Sequence, residues 1–291
     1  MIESPSSLPA DQGQPQSESS SPTAARRLPS FSPSRLQREL AFDGTLRTGA
    51  LIGLFVAFMV LLSIGPGGST VKIVLIMFMI LAWIGLNLTG AKVAQSLPGL
   101  SSVLESNPAA GETALVSLMK KRALPRWVRL MLTHRQAVLR HRQQNFTESA
   151  AIAQTLLTTP RPGPAASHRG QLLLLLVEAR LELRDATGAW LALVELSRTP
   201  LGLTEALQRM ALRTRYELLV CQSEETLKGL EQKTQLAELM PAPQCGALHA
   251  MLATAAKHAG RDDLHTQLRS RVELLCSEDE IVQMLEGGLL V

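Results

Sequence analysis

The stretch of this chain that most constrains its fold lies between Arg47 and Lys92. Twenty-four consecutive uncharged residues separate Arg47 from Lys72, and nineteen more separate Lys72 from Lys92. Within them "ALIGLFVAFMVLLSI" (50–64) and "IVLIMFMILAWIGL" (73–86) are apolar on every face. A helix needs about 20 residues, at about 1.5 Å each, to cross a hydrocarbon layer of about 30 Å. Residues 48–65 fall slightly short of that and residues 71–91 suffice, so the pattern predicts a two-helix membrane hairpin. A buried hairpin of a soluble protein would show a polar stripe, and neither segment has one. No apolar run precedes residue 50 and no small-residue cleavage site lies where one is needed, so a signal peptide is not expected.

Between the two runs, "IGPGGSTVKIVL" (64–75) contains the residue types of a phosphate-binding loop. Such a loop of the P-loop type needs Gly-x4-Gly-Lys-Ser/Thr after a strand. Here Ser69 and Thr70 precede Lys72, no Gly-Lys step occurs, and Thr70 stands where a third glycine would follow Gly65 and Gly67. The stretch reads instead as a turn. Pro66 stops the first helix, Ser69 or Thr70 caps the second, and Lys72 snorkels to the headgroups.

Charge orients the hairpin. Arg35, Arg38 and Arg47 precede it, Lys92 follows it, and a dense basic cluster begins at Lys120, while the turn has Lys72 alone. The positive-inside bias then places both chain ends in the cytoplasm. Arginines outnumber lysines 22 to 7, which fits a bacterial inner-membrane protein of GC-rich source. Of the excess positive charge, residues 93–147 carry most, with 8 basic against 2 acidic residues. Only ten aromatic residues occur and none follows Tyr216, so stacking platforms for nucleic acid are not expected.

One face of the first apolar segment repeats small residues, Gly49, Gly53 and Ala57. The second carries Ala82 and Gly85. Small residues at this spacing let helices approach closely in lipid, so these are the expected helix-packing residues, first within the hairpin and then in a homodimer.

Four segments follow from these patterns. Residues 1–45 open with ten serines and six prolines among the first 34, and read as a disordered tail. Residues 46–92 are the hairpin and residues 93–125 a basic amphipathic linker. In that region "ETALVSLMKKRALPRWVRLML" sets leucines among Lys120, Lys121, Arg122, Arg126 and Arg129, the expected contacts to anionic lipid. Residues 126–291 show helical apolar spacing throughout, with no strand-like alternation, which predicts an all-α domain. Helices are expected at 126–143, 147–158, 169–184, 188–198, 203–221, 223–239, 243–259, 261–276 and 278–286. They pair through turns at "QQNFTE", "RDATGA", "CQSEE" and "AGRDD", spaced about as regularly as an α-solenoid of about four hairpins requires.

In "QAVLRHRQQNFTESAAIAQTLLTTP" Ala137, the Asn145–Phe146 turn, Ala150 or Ala151 and Pro160 resemble the tetratricopeptide repeat family. "VEARLELRDATGAWLALVELSRTP" repeats the pattern with Ala179, Gly188, Ala192 and Pro200. The resemblance covers residues 126–276, although the Trp and Tyr of the family's first helix are missing. It implies a concave surface, lined by first helices, that binds a protein or peptide and performs no chemistry. Arg180, Arg184, Arg209 and Arg213 are the residues it places on that face, facing peptide carboxylates.

Nothing in the sequence points to catalysis. The six histidines show no triad spacing, and Cys221, Cys245 and Cys276 show no metal or redox spacing. Cys245 and His249 share a helix face, but two donors make an incomplete zinc site. "NFT" (145–147) fits a glycosylation acceptor, yet reads as a repeat turn on a cytoplasmic domain. Thus no cofactor, no metal and no enzymatic activity are expected. The chain reads as a membrane-anchored scaffold or adaptor. The alternative is an oligomeric hairpin with a structural or permeation role that the repeat domain regulates.

Overall fold

The computed structural model describes residues 28, 30–63, 69–122, 124–159 and 168–281, and among them every regular element is helical. The turn expected around Pro66 and the helix stop at Pro160 lie outside the described residues. Two long helices come first, α1 (Pro33–Ser63) and α2 (Ser69–Ser106). Their stretches Pro33–Val60 and Ile76–Leu104 are long and apolar enough to cross a membrane. The core helix of a soluble protein would be mostly buried. In the most apolar window of each stretch only 6% and 13% is buried, and Phe55, Ile73, Val74 and Phe78 are exposed.

Ten shorter helices follow: α3 (Pro108–Met119), α4 (Arg126–Arg142), α5 (Phe146–Thr158), α6 (Arg169–Glu182), α7 (Ala186–Ser197), α8 (Leu203–Leu219), α9 (Ser223–Leu227), α10 (Leu230–Ala237), α11 (Ala242–His258) and α12 (Asp262–Leu275). The long helix expected over 223–239 is broken in two, because Lys228 is extended and Gly229 takes a left-handed φ of 66°. The last expected helix begins as anticipated. Ser277 and Glu280 cap one another at its start, and its expected end lies outside the described residues.

Four helix pairs, α4/α5, α6/α7, α8/α9 and α11/α12, are closed by one repeated turn. Gln144, Arg184, Cys221 and Gly260 sit in it at φ of 59°, 55°, 58° and 68°. In each turn the next residue reaches back five positions with its N–H: Asn145 to Arg140, Asp185 to Arg180, Gln222 to Glu217 and Arg261 to Ala256, at 2.8–2.9 Å. This is the Schellman closure, which satisfies the carbonyls left open at a helix end. Seven positions before the left-handed residue stand Ala137, Val177, Thr214 and Ala253, all fully buried. Five positions after it stand Ser149, Ala189 and Thr226, also fully buried. Small side chains at these two heights let the paired helices approach. Across that gap the Ser149 hydroxyl donates to the Ala137 carbonyl, and the His265 ring meets the Ala253 carbonyl at the equivalent place.

The structure differs from the sequence reading at two boundaries. Residues expected to belong to the tail are helical from Pro33. Leu36 is buried as part of the core that α4 to α7 build, and Leu28 as part of the core of α2, α3 and α4. The expected linker is part of the fold as well. Val93, Leu97, Leu100 and Leu104 of α2, with Leu115 and Val116 of α3, form one core with Val128, Leu132 and Leu139 of α4. Their spacing of four, three and four residues is the seam of a packed helix face. Gly90 is where the loop before α4 crosses α2, since a Cβ there would lie 2.7 Å from the Pro125 ring.

Candidate functional site: a cationic groove at the root of the long helices

The first turns of α1 carry Leu36, Leu40 and Asp43 along one face, at helical spacing. That face lies on α4, so Asp43 is 2% exposed and meets Arg129, itself 4% exposed. The Arg129 guanidinium donates through Nε (2.9 Å) and Nη2 (2.6 Å) to Oδ2 of Asp43. Its remaining N–H groups donate to the carbonyls of Met119 (2.7 Å) and Lys121 (3.1 Å), and Glu39 stands 3.6 Å away. One side chain thus ties α1 to the end of α3 and to the loop before α4. Arg129 was expected at the lipid surface. It is instead a structural residue of the interior, because an ionised group is buried only where carboxylates and carbonyls answer each of its donors.

That tied loop holds Lys120, Lys121 and Arg122 exposed in a row, with no ion pair or hydrogen bond from their side chains among the described residues. Together with Arg35 and Arg38 of α1 they line a groove of about 940 Å³. Glu39 and Asp43 also line it, but Glu39 pairs with Arg35 at 2.9 Å and Asp43 with Arg129, so Arg38, Lys120, Lys121 and Arg122 leave the mouth cationic. Its wall is apolar, built from Phe31, Leu36, Phe42, Val116 and Met119, with Phe42 half exposed. Asp43 precedes the uncharged run at Thr48 by five residues, about 7 Å of helix. Cations over an apolar wall, at that height, suit an anionic amphiphile: a phosphate would meet the lysines while hydrocarbon followed Phe42.

Beside the groove a second charged constellation holds the residues before α1. Glu112 of α3 accepts the N–H of Leu28 at 2.7 Å, Glu148 of α5 accepts the N–H of Phe31 at 2.7 Å, and Arg140 of α4 donates to the Leu28 carbonyl at 3.0 Å. Arg140 stands between the two carboxylates, 3.7 Å from Glu112 and 3.0 Å from Glu148. Gln143 and Asn145 of the first turn fix the outer carboxylate oxygens.

The other anticipated residues are scattered. A Cβ on Gly49, Gly53 or Gly85 would meet nothing within 4 Å, so the small-residue faces are not closed against each other. Ala57 is half-buried, and the Ala82 side chain lies outside the described residues. Arg126 is exposed, as a lipid contact requires. Arg180 is held by Asp185 at 2.6 Å and Arg213 by Glu217 at 2.8 Å, while Arg184 lies in the turn rather than on α6, and Arg209 is half-buried. A patch that the sequence did not single out lies on α7 and α8. Trp190, 48% exposed, stacks on Tyr216 at 5.5 Å, with Leu191 and Leu203 exposed on the same two helices. Only the outward position of Trp190 in α7 would have pointed to it.

His249 and Cys245 are buried in α11. Burial holds the imidazole below its usual 6.5, Arg271 acts in the same direction, and Glu238 opposes them. Burial likewise pushes the Cys245 and Cys276 thiols up, away from the reactive thiolate. Among the described residues no three His, Cys, Asp or Glu side chains gather closely enough to hold a metal ion. Comparison with protein-family models, with curated proteins and with solved structures finds no match for the chain.

Proposed function

We propose that the chain is a membrane-anchored scaffold or adaptor. In this reading α1 and α2 span the bilayer, the four helix pairs stack as a solenoid of the tetratricopeptide kind, and the helical domain holds a partner protein or peptide on the cytoplasmic side. The observation that carries the reading is the direct continuation of two exposed, apolar helices into a folded helical domain through the Arg129–Asp43 tie. Large apolar side chains exposed along two such helices are costly in water and favourable in lipid. The groove at their root then lies against anionic headgroups. The recurring turn supports the solenoid, because stacked units repeat their closures. No cofactor or catalytic step enters this reading.

The test is proximity labelling by the full chain carrying a labelling enzyme at its C-terminus, beside a hairpin-only control. Recruitment predicts a set of neighbours specific to the full chain, resisting carbonate extraction with it. Identical neighbour sets would refute the scaffold reading. Extraction of the full chain by carbonate would refute the anchor. A second reading, an oligomeric hairpin with a structural or permeation role, draws on the open space beside Gly49, Gly53 and Gly85. Cysteine crosslinking at Gly53 decides it, since a chain that stays monomeric in membranes excludes that role.

A further inference from the structure

We infer that Glu112 of α3, with Arg140 and Glu148 of the first helix pair, form a peptide site, filled here by the chain's own Leu28 and Phe31 and open to a partner peptide that carries the same two anchors. The site deepens the reading of the helical domain as a peptide binder, and rests on it. Its hydrogen bonds all go to main chain: the N–H groups of residues 28 and 31 and the carbonyl of residue 28. Main-chain recognition leaves identity to the side chains, as in other modes of extended-peptide capture. Two anchors supply it. Leu28 is 7% exposed within the core of α2, α3 and α4, and Phe31 packs on the core of α4–α7. The fitting partner therefore carries a large apolar residue and, three positions on, an aromatic one.

The segment is anchored independently of α1. Leu36 and Asp43 secure α1 to α4 through their own burial and through Arg129, so residues 28–31 can leave without α1 coming away. The three charged side chains are 12–15% exposed, buried enough to strengthen their bonds and open enough to be reached. Because the chain's own segment is tethered at millimolar effective concentration, an incoming peptide competes at a disadvantage until that segment is weakened or the partner is itself concentrated at the membrane.

The test uses the full chain in detergent and a fluorescein-labelled peptide of residues 26–33, RRLPSFSP. Leu28→Asp/Phe31→Asp empties the site. This variant should bind the peptide at least about tenfold more tightly than the unaltered chain, as removal of a tethered competitor requires. Adding Glu148→Ala, which removes the acceptor, should cancel the gain, while Glu273→Ala on α12 should not. The milder Phe31→Ala, which leaves Leu28 in place, should gain affinity by a smaller factor and keep full helicity, so the site is testable even if the double variant loses helical content. Equal peptide binding by the unaltered chain and by Phe31→Ala would overturn the inference. So would equal binding of a scrambled peptide. Either failure leaves the proximity-labelling result standing on its own.

Discussion

Replacing Asp43 with alanine tests how the long helices are joined to the domain. The Arg129 guanidinium is 4% exposed on its side chain and loses two of its four hydrogen bonds, both made to one Asp43 oxygen. The carbonyls of Met119 and Lys121 remain, and Glu39, 30% exposed and 3.6 Å away, replaces only part of the lost charge. Breaking a buried pair from one side costs about 3–5 kcal/mol, and these residual partners place the expectation near the lower end, about 3 kcal/mol. At roughly 2–4 °C per kcal/mol for a domain of this size, that is a fall in Tm of about 6–12 °C. The assay is thermal unfolding of the full chain in mild detergent, followed by far-ultraviolet circular dichroism. Asp43→Leu/Arg129→Met removes both charges together. It should lie within about 1 kcal/mol of the unaltered protein, about 2 kcal/mol less destabilised than Asp43→Ala. Glu39→Ala, at a partly exposed carboxylate paired with Arg35, should cost less than about 1 kcal/mol. If Asp43→Ala lowers Tm by no more than Glu39→Ala does, or if the double variant is as unstable as the single, the tie does not hold the two parts together.

Four further outcomes follow from the packing. Cys221→Gly should raise stability by about 0.5 kcal/mol in urea titration, since it relieves a left-handed backbone at some entropic cost, whereas Gly260→Ala should lower it by about 1 kcal/mol. Gly90→Ala should cost about 1–3 kcal/mol by pushing α2 from Pro125, while Gly99→Ala, with open space around it, should be neutral or stabilising. Because burial holds the folded His249 pKa below 6.5, the unfolded chain takes up the proton first as pH falls. Stability is therefore undiminished above that value and declines below it, and the Tm of His249→Leu should change less between pH 7.5 and 5.5, measured about those values. A maleimide should label exposed Cys221 in the folded chain and reach buried Cys245 and Cys276 only after denaturation.

What could be read from the sequence depended on how local its cause was. The bounds of α4 to α8, α11 and α12 follow from apolar spacing and from turn residues such as Asn145 and Asp185, which cap a helix with their own side chains. The break at Gly229 was missed because one glycine inside an apolar pattern costs a helix only about 1 kcal/mol and gives no certain stop. Residues 28–45 were misread for a different reason. The serines and prolines around Leu28 and Phe31 dilute their apolar character, and the acids that hold them lie 84 and 117 positions away. Arg129 shows the same limit: on paper it is one more cation beside Lys120 and Lys121, and only its partner 86 residues earlier makes it an interior residue. The cationic loop itself was legible as composition, but the groove was not, since Arg35 and Arg38 reach it from the start of α1, far from the loop in sequence.

The two long helices enter the domain without a joint: α1 begins inside the groove, and α2 ends inside the core it shares with α3 and α4. The root of the pair and the domain therefore share packed residues. If the pair is seated in a bilayer as proposed, its tilt passes to the helices packed on it, and a change of about 10° would carry a group about 40 Å away through about 7 Å. Membrane thickness would then set where Trp190 and the far helix pairs are presented, as a mast sets the bearing of whatever is fixed to its top.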